Sequence, residues 1–324
     1  MMETRALGRT GCQIGVIGFG GWAIGGGYVI DGMSIGYGRT DDLESLAALD
    51  TALDLGVNLF DTADAYGMGH SECLIGQVLQ ARRSDAHVAT KVGNERRDPF
   101  PLRQNFDPEY VEMALHRSLR RLRRDAIDFY QLHHPPFELL RQDRLWDLMR
   151  RFRDEGHIRH IGASINTPED ALECIRKNRV EFLQLRYSLL RPEWERDVFP
   201  AAREANVGII ARESFENGLL TGKFTAATQF PADDHRRQRY PAEALARLMP
   251  LIERLRAVAE CHGLTMPELA LRYVLRAPAV TCVIPGAKRP AQVIENCRPG
   301  AAPTLPDHVI KEVQVAARDA QAVS

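Results

Sequence analysis

The chain has 324 residues, 44% of them hydrophobic and 26% charged, with a formal net charge of −1. This is the balance of a globular protein with enough chain to bury a sizeable core, and its near-neutral field gives no electrostatic draw toward nucleic acid or an anionic membrane. Apolar runs such as 16–21 and 207–211 are too short to span a bilayer, and the opening Met1-Met2-Glu3-Thr4-Arg5 lacks the charged-then-apolar order of a secretory signal. The six cysteines, at positions 12, 73, 174, 261, 282 and 297, form no close pair. That spacing suits neither a zinc site nor a disulfide framework, and predicts reduced thiols in a cytoplasmic protein that holds no metal.

Residues 4–14, with turn residues at 8–11, read as a β-hairpin capping the bottom of whatever follows. Strands are then predicted over 16–20, 58–61, 87–91, 127–133, 158–164, 182–186, 208–212 and 282–285. Helices are predicted over 42–55, 71–81, 108–122, 138–155, 168–177, 196–204, 241–276 and 290–296, and a last one over 306–321 packs outside. Several boundaries carry a mechanism. In the run 40–44, an Asp caps the first helix and Glu44 reaches back. Asp107-Pro108 and Thr167-Pro168 each place an N-cap before a proline at the first helical position. Gly56 and Gly156 follow helical runs as left-handed terminators. Eight strand–helix alternations with no linker predict one domain over 1–324, a parallel (β/α)8 TIM barrel with an N-terminal hairpin and an extra C-terminal helix. A doubly wound sheet is disfavoured, because Gly18-Phe19-Gly20-Gly21 opens a long loop rather than a tight glycine turn into a helix.

In a closed barrel, chemistry gathers at the C-terminal strand ends. Here those ends bring Gly20-Gly21-Trp22, Asp61, Lys91, His133, Ser164, Arg186-Tyr187, Arg212 and Pro285-Gly286, with Tyr66 five residues past Asp61. Four of them form a coherent carbonyl-reducing set. Tyr66 donates the proton. Lys91 lowers the tyrosine pKa from about 10. Asp61 holds the lysine, and His133 offers a ring N–H to the carbonyl oxygen. Each has a plain structural reading: an ion pair for Asp61 and Lys91, a core histidine for His133, a shielding aromatic for Tyr66. All four falling on one side of the barrel favours chemistry. Asp64 reads as a loop or capping residue, and His134 as structural, since successive strand residues point oppositely.

The chain resembles the aldo-keto reductases over nearly its whole length. The matching segments are Arg5-Ala6-Leu7-Gly8-Arg9-Thr10-Gly11, Phe60-Asp61-Thr62-Ala63-Asp64-Ala65-Tyr66-Gly67 with Ser71-Glu72, Ala89-Thr90-Lys91-Val92, the run 127–133, the run 218–223, and Val283-Ile284-Pro285-Gly286-Ala287-Lys288 with Gln292 and Asn296. The resemblance implies an NADP-dependent oxidoreductase that reversibly reduces an aldehyde or ketone, with NADP(H) extended across the barrel mouth. Its catalytic set would be Asp61, Tyr66, Lys91 and His133, and its substrate contacts Trp22, Tyr66 and His133. Ser164 and Gln184 would bond the nicotinamide carboxamide, beside Gly21, Trp22 and Asp61. Gly218, Leu220 and Lys223 would lie near the pyrophosphate. Gly286, Lys288, Gln292 and Asn296 would hold the adenosine end, with Lys288 on the 2′-phosphate. Two departures stand out. Ser164 is followed by Ile165 and then Asn166, where many members carry Ser-Asn side by side. Arg212 replaces an aromatic that stacks on the nicotinamide; its planar guanidinium can stack likewise or reach a phosphate.

Trp22, Tyr28, Phe100 and Phe106 are expected to border the mouth, with Arg96, Arg97 and Arg103 on a solvated loop face. The stretch 225–240 is expected to be a lid that orders with cofactor. The expected partner is a small-molecule carbonyl substrate, not nucleic acid or membrane, and the chain is expected to be a monomer or weak homo-oligomer. Two rivals remain. One is a non-catalytic NADP(H)-binding module on the same fold. The other is a metal-dependent barrel hydrolase using Asp61, His133 and His134, which the ligand-poor ends of the last four strands disfavour.

Overall fold

The computed structural model describes residues 2–30, 33–95 and 103–321. Strands β1 (Thr4–Ala6) and β2 (Gln13–Gly15) pair antiparallel, joined through Gly8 and Gly11, both in left-handed backbone. Gly8 is required twice over, because a Cβ there would run into the backbone nitrogen of Gly208. The hairpin fills the barrel bottom. Leu7 and Ile14 are fully buried and pack with Leu59, Phe129, Phe182 and Ile210.

Eight parallel strands follow: β3 (Phe19–Gly20), β4 (Leu59–Asp61), β5 (His87–Val92), β6 (Ile127–His133), β7 (Ile158–Ser164), β8 (Phe182–Arg186), β9 (Gly208–Arg212) and β10 (Val280–Val283). Each neighbours the next in chain order. The ring closes between its ends, where Gly18 N–H donates to Val283 O at 2.8 Å, Val283 N–H to Val16 O at 2.9 Å and Gly20 N–H to Pro285 O at 3.1 Å. Glycine permits this seam. A Cβ at Gly20 would stand 2.6 Å from Ile284 O. The first strand is thus shorter than the expected 16–20, although residues 16–18 still bond across the seam. The last begins two residues before the expected 282 and ends before Pro285, which has no N–H to offer the ladder.

The helices follow their predicted spans with two splits. The expected 138–155 is two helices, Phe137–Arg141 and Asp143–Asp154, broken where Gln142 is extended. The expected 241–276 is also two, Ala242–Cys261 and Met266–Leu275. Gly263 turns left-handed, and Thr265 restarts the chain with a capping box to Glu268. Asp41 caps its helix by accepting from Leu43 N and Glu44 N. Glu44 does not reach back; it accepts from Arg289 Nε at 3.1 Å instead. Asp107 occupies an N-cap position without a side-chain cap bond. The last helix, Asp307–Gln321, buries Val309 and Val313 in an outer cluster with Ile252 and Leu255. The long loop after β3 carries a small hairpin, Tyr28–Ile30 with Met33–Ile35. No described helix is long and apolar enough to cross a membrane. Phe100, Arg96 and Arg97 lie outside the described residues.

Candidate active site

The strand ends open into a cavity of about 800 Å³. Strand periodicity stacks its floor: along β6, Phe129, Gln131 and His133 all face the axis, carrying the chain from the apolar plug through a polar layer to the mouth. Lys91, fully buried at the end of β5, is the centre of that layer. Its Nζ donates to Asp61 Oδ1 at 2.7 Å, to Thr62 O at 2.7 Å and to the Tyr66 hydroxyl at 3.2 Å. The loop that delivers Tyr66 turns sharply at Gly67, whose φ is +59° and where a Cβ would strike Gly25 O.

Charge in this layer is finely opposed. Burial alone would pull the Lys91 ammonium down, but Asp61 and Tyr66 outweigh it and hold the group above its ordinary value. For Tyr66 the outcome differs from the expectation. Burial pushes the phenol above its usual value, and Lys91, although it pulls downward, does not overcome that.

His133 is tied by its Nδ1 to Asn94 Nδ2 at 2.9 Å. An amide nitrogen only donates, so Nδ1 accepts and the ring proton sits on Nε2. Burial, and then His134, Lys91 and Arg212, drive this imidazole well below its ordinary pKa; it is neutral. Asn94 is the residue the sequence reading missed. Its signal was a polar side chain just past the Lys91 strand, immediately after Gly93, whose φ is positive. Its own carbonyl accepts from Tyr110 at 2.9 Å. Trp22 stands edge-on to Tyr66, ring centres 4.9 Å apart, and Tyr28 borders the cavity with its hydroxyl on Ala65 O at 2.9 Å.

Gln184 donates to Asp61 Oδ2 at 2.6 Å, which leaves its Oε1 buried without a partner. Ser164 Oγ, its register neighbour on β7, is likewise buried and unpartnered. Buried polar atoms are rarely left so; together they offer an acceptor and a hydroxyl to a planar amide, the chemistry of a nicotinamide carboxamide. Arg212 is committed within the protein. Its guanidinium bonds Asn166 Oδ1 at 2.8 Å, Ile165 O at 3.2 Å, Glu213 at 2.6 Å and His134 Nε2 at 3.0 Å. Asn166 therefore points at Arg212, and His134 supports the cavity wall. Asp64 caps nothing: both its oxygens are buried without partners, and burial, then Glu72, raise its carboxyl far above the ordinary range.

At the far end of the cavity, Gly218, Lys223, Gly286, Lys288 and Gln292 line the wall. Lys288 Nζ donates to Tyr37 O at 2.7 Å and Arg39 O at 3.2 Å, and Gln292 accepts from Lys288 N at 2.8 Å. Lys223 is mostly exposed beside Glu295 at 3.5 Å. Leu220, Gly21 and Asn296, three of the expected residues, are not among those lining the cavity. The Leu220 side chain is fully buried in the outer apolar cluster. Gly21 packs against Ser71 and the Asp61 carbonyl behind the wall. Asn296 reaches the Gly286 carbonyl at 3.4 Å. Phe106 is buried under Gly93 rather than at the mouth. The stretch 225–240 is folded across the groove. Asp234 bridges Tyr37, His235 N–H donates to Gly36 O at 3.1 Å, and Arg236 lies 4.6 Å over the Tyr37 ring.

A sequence model described as the aldo/keto reductase family matches residues 16–318. The chain is 31% identical to the aldo-keto reductase yakc [NADP(+)] of Schizosaccharomyces pombe, across 92% of this chain and 89% of that protein. It is 29% identical to the NADH-specific methylglyoxal reductase of Escherichia coli, across 91% and 92%. The holo form of aldo-keto reductase AKR11C1 from Bacillus halodurans superposes with a TM-score of 0.80 at 28% identity, covering 98% of this chain and 96% of that one. Barrel, strand-end chemistry and family match agree, and the chain belongs to the aldo/keto reductase family of oxidoreductases.

Proposed function

We propose that this protein reversibly reduces an aldehyde or ketone to the alcohol, with NADP(H) as its cofactor and Tyr66 as the general acid and base. The observation that carries this reading is the buried contact of Lys91 with both Asp61 and Tyr66 at the floor of an open cavity. A dihydronicotinamide, when bound, would supply the hydride. Ser164 Oγ and Gln184 Oε1, both buried without partners, would hold its carboxamide and so fix the ring face presented.

The protein's own groups do the rest. His133 donates from Nε2 to the carbonyl oxygen, polarising it, because Asn94 occupies Nδ1. Tyr66, within reach of the same oxygen, delivers its hydroxyl proton as negative charge develops there. The resulting phenolate is stabilised by the Lys91 ammonium 3.2 Å away, and Asp61 keeps that ammonium charged and aimed. In the reverse direction the phenolate takes the alcohol proton. Trp22 excludes water from one side of the tyrosine.

NADPH is favoured over NADH because Lys288 brings an ammonium to the adenosine end, where a 2′-phosphate would gain a charge-assisted bond. Relatives of similar identity are named for opposite cofactors, so the family alone does not fix the preference, and it is Lys288 that we assign it to. The test is Tyr66→Phe. Turnover of NADPH with a reactive aldehyde should fall by roughly 10²–10⁴-fold, the usual contribution of general acid catalysis, with NADPH affinity nearly unchanged. Surviving turnover would mean the proton comes from elsewhere.

A further inference from the structure

At the opposite end of the barrel from the cavity, three side chains from distant parts of the chain meet in a line. Cys12, partly exposed beside β2, places its Sγ 3.6 Å from His160 Nε2. His160 Nδ1 lies 2.9 Å from Glu181 Oε1, and the other Glu181 oxygen accepts from Ile161 N–H at 2.9 Å. Burial pulls the Glu181 carboxyl upward, but the bonds from His160 and Ile161 outweigh it and keep it below the usual carboxylate range. An ionised carboxylate only accepts, so His160 carries its proton on Nδ1 and turns the Nε2 lone pair toward the thiol. The imidazole is further fixed by stacking on Phe129, centres 5.4 Å apart at 25°. Thr10 Oγ1 accepts from Cys12 N–H at 3.2 Å and steadies the nucleophile's backbone. Nucleophile, base and orienting carboxylate stand in the order that activates a thiol. Among the described residues no other cysteine has an imidazole bonded to its sulfur.

We propose that Cys12, His160 and Glu181 form a base-activated thiol, a covalent modification site for small α,β-unsaturated carbonyl compounds. Burial holds the Cys12 thiol above its ordinary value, so the resting group is S–H and the proton leaves during the reaction. Sγ bonds to the β-carbon. The C=C π pair moves to the α-carbon, which receives the proton that His160 Nε2 took from sulfur. Nothing is oxidised or reduced and nothing is expelled. His160 and Ser164 lie on the same strand, roughly 13 Å apart at the usual rise, so this reaction stands whether or not the cavity reduces carbonyls.

The purified full-length chain is treated with limiting acrylamide at neutral pH, and each cysteine is followed by peptide mass spectrometry. Cys12 should react about tenfold faster than Cys73 and Cys261, although those two are more exposed. His160→Gln should slow Cys12 by about tenfold or more, the low end of general base catalysis, while Cys73 and Cys261 stay within about twofold. Glu181→Gln should slow Cys12 by a smaller factor, and it decides the matter if His160→Gln does not fold. Cys12 reacting no faster than the two exposed thiols, or at an unchanged rate in the folded variants, would overturn the proposal.

Discussion

Replacing Lys91 by Met separates the two things this side chain does. Lys91 is fully buried and Asp61 nearly so, and their ion pair is 2.7 Å long. Removing the ammonium leaves Asp61 Oδ1 with no cation, while Oδ2 keeps only the amides of Gln184 and Gln131. Breaking a buried pair from one side costs about 3–5 kcal/mol. Unfolding entropy of about 2.1 cal/mol/K per residue over 324 residues converts that into a drop of about 4–7 °C in Tm. Turnover should also fall by roughly 10²–10⁴-fold, since the phenolate of Tyr66 loses its counter-charge. The double variant Asp61→Asn with Lys91→Met removes both charges. It should recover most of the lost Tm, because a buried pair replaced whole is close to neutral in stability, yet it should remain inactive. Differential scanning calorimetry and an NADPH absorbance assay on Lys91→Met, Asp61→Asn, the double variant and the parent complete the cycle. If Lys91→Met melts within about 1 °C of the parent, or the double variant is no more stable than the single, Asp61 and Lys91 are not the coupled pair described here.

The remaining predictions concern pH, the histidine tautomer and the adenosine end. Burial holds the Tyr66 phenol above about 10, so its proton is present throughout the neutral range. Reduction should be flat from pH 7 to 9, whereas alcohol oxidation, which needs the phenolate, should climb with pH across that interval; a decline in reduction before about pH 9 would contradict the assignment. Asn94→Asp puts an acceptor against His133 Nδ1 and forces the proton there, leaving Nε2 bare. We expect kcat/KM to fall about 10–100-fold at neutral pH and to recover in part on acidification as the imidazole takes a second proton against His134, Lys91 and Arg212; a profile parallel to the parent's would exclude this role. Lys288→Ala should weaken NADPH binding by about tenfold or more, the worth of one charge-assisted bond, with NADH within about twofold. Equal weakening of both would show that Lys288 serves the Tyr37 and Arg39 carbonyls and not a phosphate.

What the sequence disclosed and what it withheld divide along physical lines. Strand and helix spans such as 127–133 and 108–122 were legible because periodicity and capping are local. The Lys91 contacts followed from strand ends converging on one face, which the alternation of elements dictates. Helix breaks at Gln142 and Gly263 were less legible, since apolar periodicity continues across them and only the cap and the left-handed glycine end the helix. Partners set by tertiary geometry were not legible at all. Asn94 meets His133 from a neighbouring strand's overrun. Arg212 satisfies Asn166, Ile165 O and His134, so the residues at 165–166 and at 212 meet in one hydrogen-bonded group. Leu220 and Asn296 sit in matching motifs, yet each spends its side chain on packing or on a backbone carbonyl, which a motif cannot reveal.

The sheet's axial asymmetry explains why the cavity end has polar groups to spare. At the bottom, the hairpin places Leu7 and Ile14 against Phe129 and Phe182 and leaves no room for a ligand. One layer higher, the inward positions turn polar, and the amides of Gln131 and Gln184 converge on a single carboxylate oxygen. Each amide has one end used and the other not, so Gln131 Oε1 and Gln184 Oε1 are buried acceptors without donors, beside the equally unpartnered Ser164 hydroxyl. Leaving a buried polar group unpaired costs about 1–3 kcal/mol, and three such atoms within one layer is a standing cost that packing does nothing to relieve. A planar amide seated over the ends of β7 and β8 would relieve it. The layer that fixes Asp61 and so aims Lys91 at Tyr66 is therefore also the layer left with spare polar atoms, and on the proposed reading a carboxamide bound there would stiffen the groups beneath it.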